Sequence, residues 1–446
     1  MITADRKGQI ILRKYHRHRK AKIIFITQLY PFPPKMGGTL RSYGTIRALL
    51  SKGHEIYLVA FSDSSEDQSI PKQIYPFKKT NFHPHLIRTN IINDLHRWRN
   101  FLLYVKSNLL FTPFRAIKYS SKAAMEIMGN IQSEINPDII YFDHFSSAIY
   151  LPFVKNRLPQ AKIILDVHDI ESKLSFEKFK TEKSPFLKMV YLIESIKSIF
   201  FERNILKNLD RMFVMSSEAK SSLEKKTDSP ISIIPISIFE NIYKNRISER
   251  IYNHKNKDVV TFIGTLSLDV NKNGLKWFID CVWDLIKEQV PDATLIIIGS
   301  YGMIDINHSL LKKGIVFKGY QKTLKRAYAN TTVGIVPMLT GGTVRMKTLG
   351  FLARGIPFVS TIEGVHGIPE IKNGIHCYIA NSPIQFSNSI IELLKNQSLR
   401  HKFSLNSVSL FKKYYGFPKL VKFLDSEFTK TISLPPRYYS SAKNEK

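Results

Sequence analysis

Residues 333–368, VGIVPMLTGGTVRMKTLGFLARGIPFVSTIEGVHGI, carry the pattern that decides how this chain is read. A short apolar run, 333–336, has the character of a buried parallel strand and stops at Pro337. The chain then opens into Gly341, Gly342 and Thr343. A helical pattern follows as far as Ala353, and Gly355 is placed to cap it. A second apolar strand, 356–360, leads into another glycine-bearing loop. Strand, glycine loop, helix and strand make one βαβ unit. Arg345 and Lys347 stand at the predicted helix start, where free backbone N–H groups and the helix dipole also favour negative charge. These residues suit a phosphate-bearing ligand; they equally suit a tight turn with two solvated cations.

Pro337, Gly341, Arg345, Lys347, Leu349, Ala353, Gly355, Pro357, Val359, Thr361, Gly364 and Gly367 fall in one frame. That frame resembles the donor-binding stretch of the retaining group 1 glycosyltransferases of GT-B fold, a family 4-like branch of polysaccharide biosynthesis. The resemblance implies an α/β protein with two Rossmann-like, doubly wound domains facing across a cleft. It implies sugar transfer from a nucleotide-sugar to a glycan or lipid-linked acceptor with retention of configuration, and no cofactor or metal. Two positions depart from the frame. The family glutamate that holds the nucleotide ribose falls on Gly350, and the acidic residue eight positions earlier falls on Gly342. Glu363, in the next loop, is a candidate substitute for the first. The departures leave a second reading open, a catalytically degenerate relative acting as a partner or scaffold.

Working outward, 259–263 is an apolar strand followed by Gly264 and Thr265, and Asn271, Asn273, Gly274, Trp277 and Phe278 continue the resemblance. In the first half, an apolar strand at 23–27 runs into Pro34, Gly37 and Gly38; a helical pattern then ends at Gly53-His54. In the family this double-glycine loop approaches the donor phosphates and the acceptor. A further strand, 161–167, ends at His168-Asp169, where relatives place a histidine that reaches the donor sugar and the transferring oxygen. The resemblance therefore assigns His168, Arg345 and Lys347 to catalysis. It assigns Gly37, Gly38, Gly264, Thr265, Gly341, Gly342 and Thr343 to donor and phosphate binding. Ser216 is a candidate N-cap.

The chain has 446 residues, room for two domains, and a net charge of +30 that favours anionic partners. Nucleic acid is not expected, because no aromatic-basic recognition motif accompanies the charge. Cys281 and Cys377 form no metal-like spacing and too small a set for a disulfide framework. No apolar run is long enough to span a bilayer, so the expected location is cytoplasmic. Residues 86–134 read as helical, with Ile91, Leu95, Trp98, Leu102, Val105 and Leu109 at steps of three and four and Arg97, Arg99 and Lys106 off that stripe. Such a helix either packs its stripe on the core or lies on an anionic membrane surface as a peripheral contact. The expected organisation is a basic arm 1–21, an acceptor domain 22–240 with helix 417–430 returning to it, a linker 241–257, a donor domain 258–416 and a disordered tail 433–446.

Overall fold

The computed structural model describes residues 3–4, 10–11, 20–32, 34, 37–62, 81–88, 97–235, 258–300, 313–321, 324–340 and 344–435. The 241–257 linker, most of the basic arm, the 436–446 end and the loop residues Gly341, Gly342 and Thr343 lie outside them. The chain divides into two compact units, residues 1–234 with 421–446, and residues 235–420.

The first unit is built on seven parallel strands: β1 (Lys22–Thr27), β2 (Glu55–Ser62), β3 (Phe82–Arg88), β4 (Ile139–Asp143), β5 (Lys162–Asp166), β6 (Arg211–Val214) and β7 (Ile231–Ile233). Their order across the sheet is β3-β2-β1-β4-β5-β6-β7. Helices α1 (Gly37–Ser51), α2 (Arg97–Leu109), α3 (Phe114–Lys118), α4 (Lys122–Glu134), α5 (Leu151–Arg157), α6 (Glu171–Thr181), α7 (Pro185–Leu206) and α8 (Ser217–Glu224) accompany it. The central strands are nearly all apolar, because a doubly wound parallel sheet is covered on both faces. Ser216 caps α8, its side chain accepting from the Ala219 N–H at 3.2 Å.

The second unit has six strands: β8 (Val259–Ile263), β9 (Thr294–Ile298), β10 (Ile315–Gly319), β11 (Val333–Val336), β12 (Phe358–Ser360) and β13 (Tyr378–Ile379). Their order is β10-β9-β8-β11-β12-β13, all pairs parallel. Its helices are α9 (Asp269–Cys281), α10 (Trp283–Gln289), α11 (Leu324–Ala327), α12 (Met346–Arg354), α13 (Pro383–Lys395) and α14 (Gln397–Tyr414). Gly355 ends α12 at φ 60°, the left-handed conformation that favours glycine. In both sheets the winding reverses beside the first strand, between β1 and β4 and between β8 and β11. That reversal leaves a crevice at the carboxyl ends of the strands. The α/β, two-sheet Rossmann-like expectation is met.

Helix α15 (Phe417–Ile432) runs across the division at 420/421. Its last turns belong to the first unit, where Phe428 stacks 6.0 Å from Tyr141 and the buried Glu427 pairs with the buried Arg211. Arg211 also donates to Thr431, and Ser232 donates to Glu427. Removing one member of such a pair leaves a buried charge uncompensated. Glu427→Ala is therefore expected to lower stability by about 3 kcal/mol, checked by urea unfolding.

The single helical segment expected over 86–134 is corrected. Residues 82–88 form strand β3, which pairs with β2, and 97–134 break into three helices. Pro113 precedes α3 and Ser121 precedes α4. Proline offers no N–H to continue α2, and the described part of the stripe, 98–109, lies wholly within α2. The stripe does not pack on the core either. Leu102 is 65% exposed and Leu109 81% exposed, and Val105 is exposed too. Ile91 and Leu95, and the side chain of Trp98, lie outside the described residues.

Candidate functional site

In the second unit the reversal point gathers several of the residues expected at the donor site. Strand β8 delivers Gly264 and Thr265, and the start of α12 delivers Arg345 and Lys347. The Lys347 ammonium lies so close to Gly264 that a Cβ there would stand 3.0 Å from it. Lys347 donates to the Asn271 side-chain oxygen at 2.8 Å and lies 4.3 Å from the centre of the Phe262 ring. Asn271 in turn donates to the Thr265 carbonyl at 2.9 Å. Burial and the neighbouring Arg345 charge push the Lys347 ammonium down to about 7. A cation drawn out of water with no carboxylate paired to it among the described residues is costly; an incoming phosphate would relieve that cost. Arg345 donates to the Thr340 carbonyl at 3.0 Å, while its buried Nε–H has no hydrogen-bond partner among the described residues. Glu363, in the turn Ile362–Gly364, exerts a favourable charge on Arg345.

Gly350 sits inside α12 and is occupied from the side by Tyr328. A Cβ at 350 would stand 2.0 Å from the Tyr328 hydroxyl oxygen. The Tyr328 ring is buried and lies under the Arg354 guanidinium at 3.9 Å. The space beside Gly350 is therefore filled by an aromatic side chain that a glutamate would have to displace.

In the first unit the reversal point holds an acid–base cluster. Asp143, the last residue of β4, is fully buried and accepts from Thr27 at 2.6 Å, from Ser42 at 2.7 Å and from His168 Nε2 at 2.8 Å. His144 follows it at φ 82°, a conformation that side chains rarely adopt and that recurs at functional sites. The His144 and His168 rings stack 3.7 Å apart at 30°. Asp166, the last residue of β5, accepts from Tyr141 at 2.7 Å and from both arms of Arg41 on α1.

Burial would raise the Asp143 carboxyl, but the charges and hydrogen bonds of His168 and His144 outweigh it and hold it well below the usual range. Burial would lower His144, yet Asp143 raises it. His168 is lowered by burial and by the His144 charge, with Asp143 only partly compensating. The two shifts run in opposite directions, favouring the charged form of His144 and the neutral form of His168. A neutral His168 that donates Nε2–H to Asp143 presents Nδ1 as an acceptor. A Cβ on Gly38 would stand 3.5 Å from that Nδ1 and 3.7 Å from His144 Nε2. Both rings consequently face the first turn of α1.

Asp143, His144 and His168 also come within 4.8 Å of one another, close enough by distance to share a cation. Both Asp143 oxygens already accept hydrogen bonds there, Oδ1 from His168 and Oδ2 from Thr27 and Ser42.

Gly264, Thr265, Arg345 and Lys347 are thus brought together in one unit, and Gly38 with His168 in the other. Gly37 begins α1 beside Gly38. Gly341, Gly342 and Thr343 lie outside the described residues. Asp143, His144, Arg41 and Asp166 were not singled out by motif, and Asn271 belonged to a motif but was given no role. The Asp143-His144 pair directly after an apolar strand is the one signal that could have found two of them.

Residues 257–396 match the family Glycosyl transferases group 1. The solved structure of WaaG, a glycosyltransferase involved in lipopolysaccharide biosynthesis, superposes with a TM-score of 0.60 at 13% identity, covering 91% of this chain and 99% of that one. The chain has the GT-B fold, and its second unit carries the match to the group 1 family. Anabaena HepE, solved with UDP and glucose, gives a TM-score of 0.58 at 12% identity over 93% of this chain and 100% of that one. An uncharacterised 44.6 kDa protein in the cps region of Klebsiella pneumoniae is 24% identical over 412 residues, 90% of this chain and 98% of its own length. Among the described residues no helix is long and apolar enough to cross a membrane.

Proposed function

We propose that this GT-B protein moves a sugar from a nucleotide-sugar donor to a glycan or lipid-linked acceptor with retention of configuration. The observation that carries the reading is the half-buried Lys347 beside Gly264 at the reversal point of the second sheet. A lysine held there with a depressed affinity for its proton, next to an arginine whose Nε–H has no partner among the described residues, is prepared for a diphosphate. In transfer, negative charge grows on the leaving diphosphate, and fixed cations stabilise it most at that moment. His168 offers an acceptor nitrogen to the transferring sugar or to the attacking hydroxyl, with Asp143 fixing its tautomer. The HepE structure with UDP and glucose supports a uridine nucleotide-sugar as the donor class. An acceptor linked to lipid places the protein peripherally on a membrane from the cytoplasmic side.

A second reading, a partner or scaffold protein without activity, is favoured by Tyr328 standing where a carboxylate from position 350 would project. Hydrolysis across a panel of sugar nucleotides, with His168→Ala as the control, separates the two. The active reading requires turnover that falls in His168→Ala. Absence of turnover and of nucleotide binding in the unmodified protein leaves the scaffold reading in its place. Gly350→Glu is expected to give tighter nucleotide binding only when Tyr328→Ala accompanies it; tighter binding by the single variant would refute the blocking role of Tyr328.

A further inference from the structure

Helix α7 is built inside out. Its polar side chains Ser195, Lys197, Ser198 and Glu202 are buried, Lys197 completely, while Phe186, Met189, Ile193, Ile196 and Phe200 are exposed. Those five apolar residues recur at steps of three and four, so they form one stripe along the helix. The buried polar groups are satisfied: Lys197 donates to Ser107 and Asn108 on α2, and Glu202 accepts from Ser172. The exposed stripe is therefore not a mispacked core but a face left outward. It continues onto α2 through Phe111, whose ring meets that of Phe200 at 5.7 Å and whose φ of 46° is unusual for a bulky residue. Leu102 and Leu109 extend it. An exposed apolar patch two helices wide marks an interaction surface.

We propose that the outward faces of α2 and α7 dock on an anionic lipid bilayer. Charge selects this occupant. Segment 97–111 carries Arg97, Arg99 and Lys106 with no acidic residue, and α6 and its turn into α7 carry Lys173, Lys178, Lys180, Lys183 and Lys188 against Glu177, Glu182 and the buried Glu171. Apolar side chains on segments with an excess of lysine and arginine match the acyl boundary and the headgroups of an anionic surface. A second copy would also fit a helical stripe, but each copy brings a net charge of +30, which sets the two apart.

The inference rests on the proposed lipid-linked acceptor for its purpose, but its test reads lipid binding without transfer. The full chain is floated with vesicles of equimolar phosphatidylglycerol and phosphatidylcholine, and with phosphatidylcholine alone, at low and high salt. The expected result is flotation with the anionic vesicles that weakens as salt rises. Ile193→Glu/Phe200→Glu is expected to reduce partition about tenfold or more. Its thermal unfolding should be unchanged, because both side chains are exposed. Lys178→Glu/Lys180→Glu is expected to reduce binding to the anionic vesicles only. No flotation of the unmodified chain, equal flotation with neutral vesicles, or unchanged flotation of Ile193→Glu/Phe200→Glu would each overturn the proposal. So would a dimer in solution that this variant converts to a monomer. Sugar-nucleotide hydrolysis measured without lipid fails or succeeds separately, so loss of the transferase reading is distinguishable from loss of this one.

Discussion

Replacing Arg345 or Lys347 by alanine is expected to lower turnover by about 10²–10³-fold, the usual cost of losing one fixed donor to a developing anion. The two side chains stand together at the start of α12, and Lys347 reaches back over Phe262 to Gly264. Lys347 supplies a more specific signature. With the site empty its ammonium releases its proton around pH 7. A bound diphosphate restores the ordinary affinity, so binding above pH 7 takes up a proton. Below pH 7 the lysine is already charged and uptake vanishes. Calorimetry of UDP binding in two buffers of different ionisation enthalpy should show uptake approaching one proton near pH 8–9, and none in Lys347→Met. Unchanged affinity in both alanine variants, or no proton uptake, would remove these residues from the donor site. The same depression makes the empty protein gain stability as pH rises from about 7 towards the ordinary lysine value of 10.5, since the unfolded chain then holds the extra proton.

Asp143→Asn is expected to cost about 10²–10³-fold in turnover, as much as His168→Ala, with the double variant no worse than either. Asp143 is a positioning residue: it accepts from His168 Nε2 and so keeps Nδ1 open towards α1. An asparagine can present N–H instead and admit the wrong tautomer. The pH profile separates this from a structural loss. Asp143 raises His168 and His144, so its removal moves the acid limb of activity to lower pH while the plateau falls. Additive losses in the double variant, or a profile that does not move, would rule out the dyad. Stability follows its own course. The depressed Asp143 carboxyl contributes stability above about pH 4 that is lost as pH falls through its native value.

How much of this was legible beforehand differs between the two units. In the second, the two strands, the helix between them, the Gly355 cap and the cations at the helix start are all local, and they form where they were read, the second strand beginning at Phe358 rather than 356. In the first, His168 stood out only through resemblance. Its partner Asp143 lies 25 residues away along the chain, and Thr27, which donates to Asp143, lies 116 residues from it. Such pairings are set by which strands neighbour each other, and no periodicity reports that. The 86–134 segment failed for a different reason. An apolar period of three and four is the same whether the face it makes is buried or left outward.

The sequence by itself determined the α/β class, the two Rossmann-like halves and the strands and helix of the 333–368 unit. Those properties rest on backbone propensities and on short-range spacing, which act within one strand, loop or helix. Only the tertiary structure decided that Lys347 packs against Gly264, that Tyr328 fills the space at Gly350, that Asp143 holds His168, and that α7 turns its apolar stripe outward. Each of these depends on what stands opposite a residue once the sheets are ordered. Desolvation and hydrogen bonding between distant segments come into being only when those segments meet.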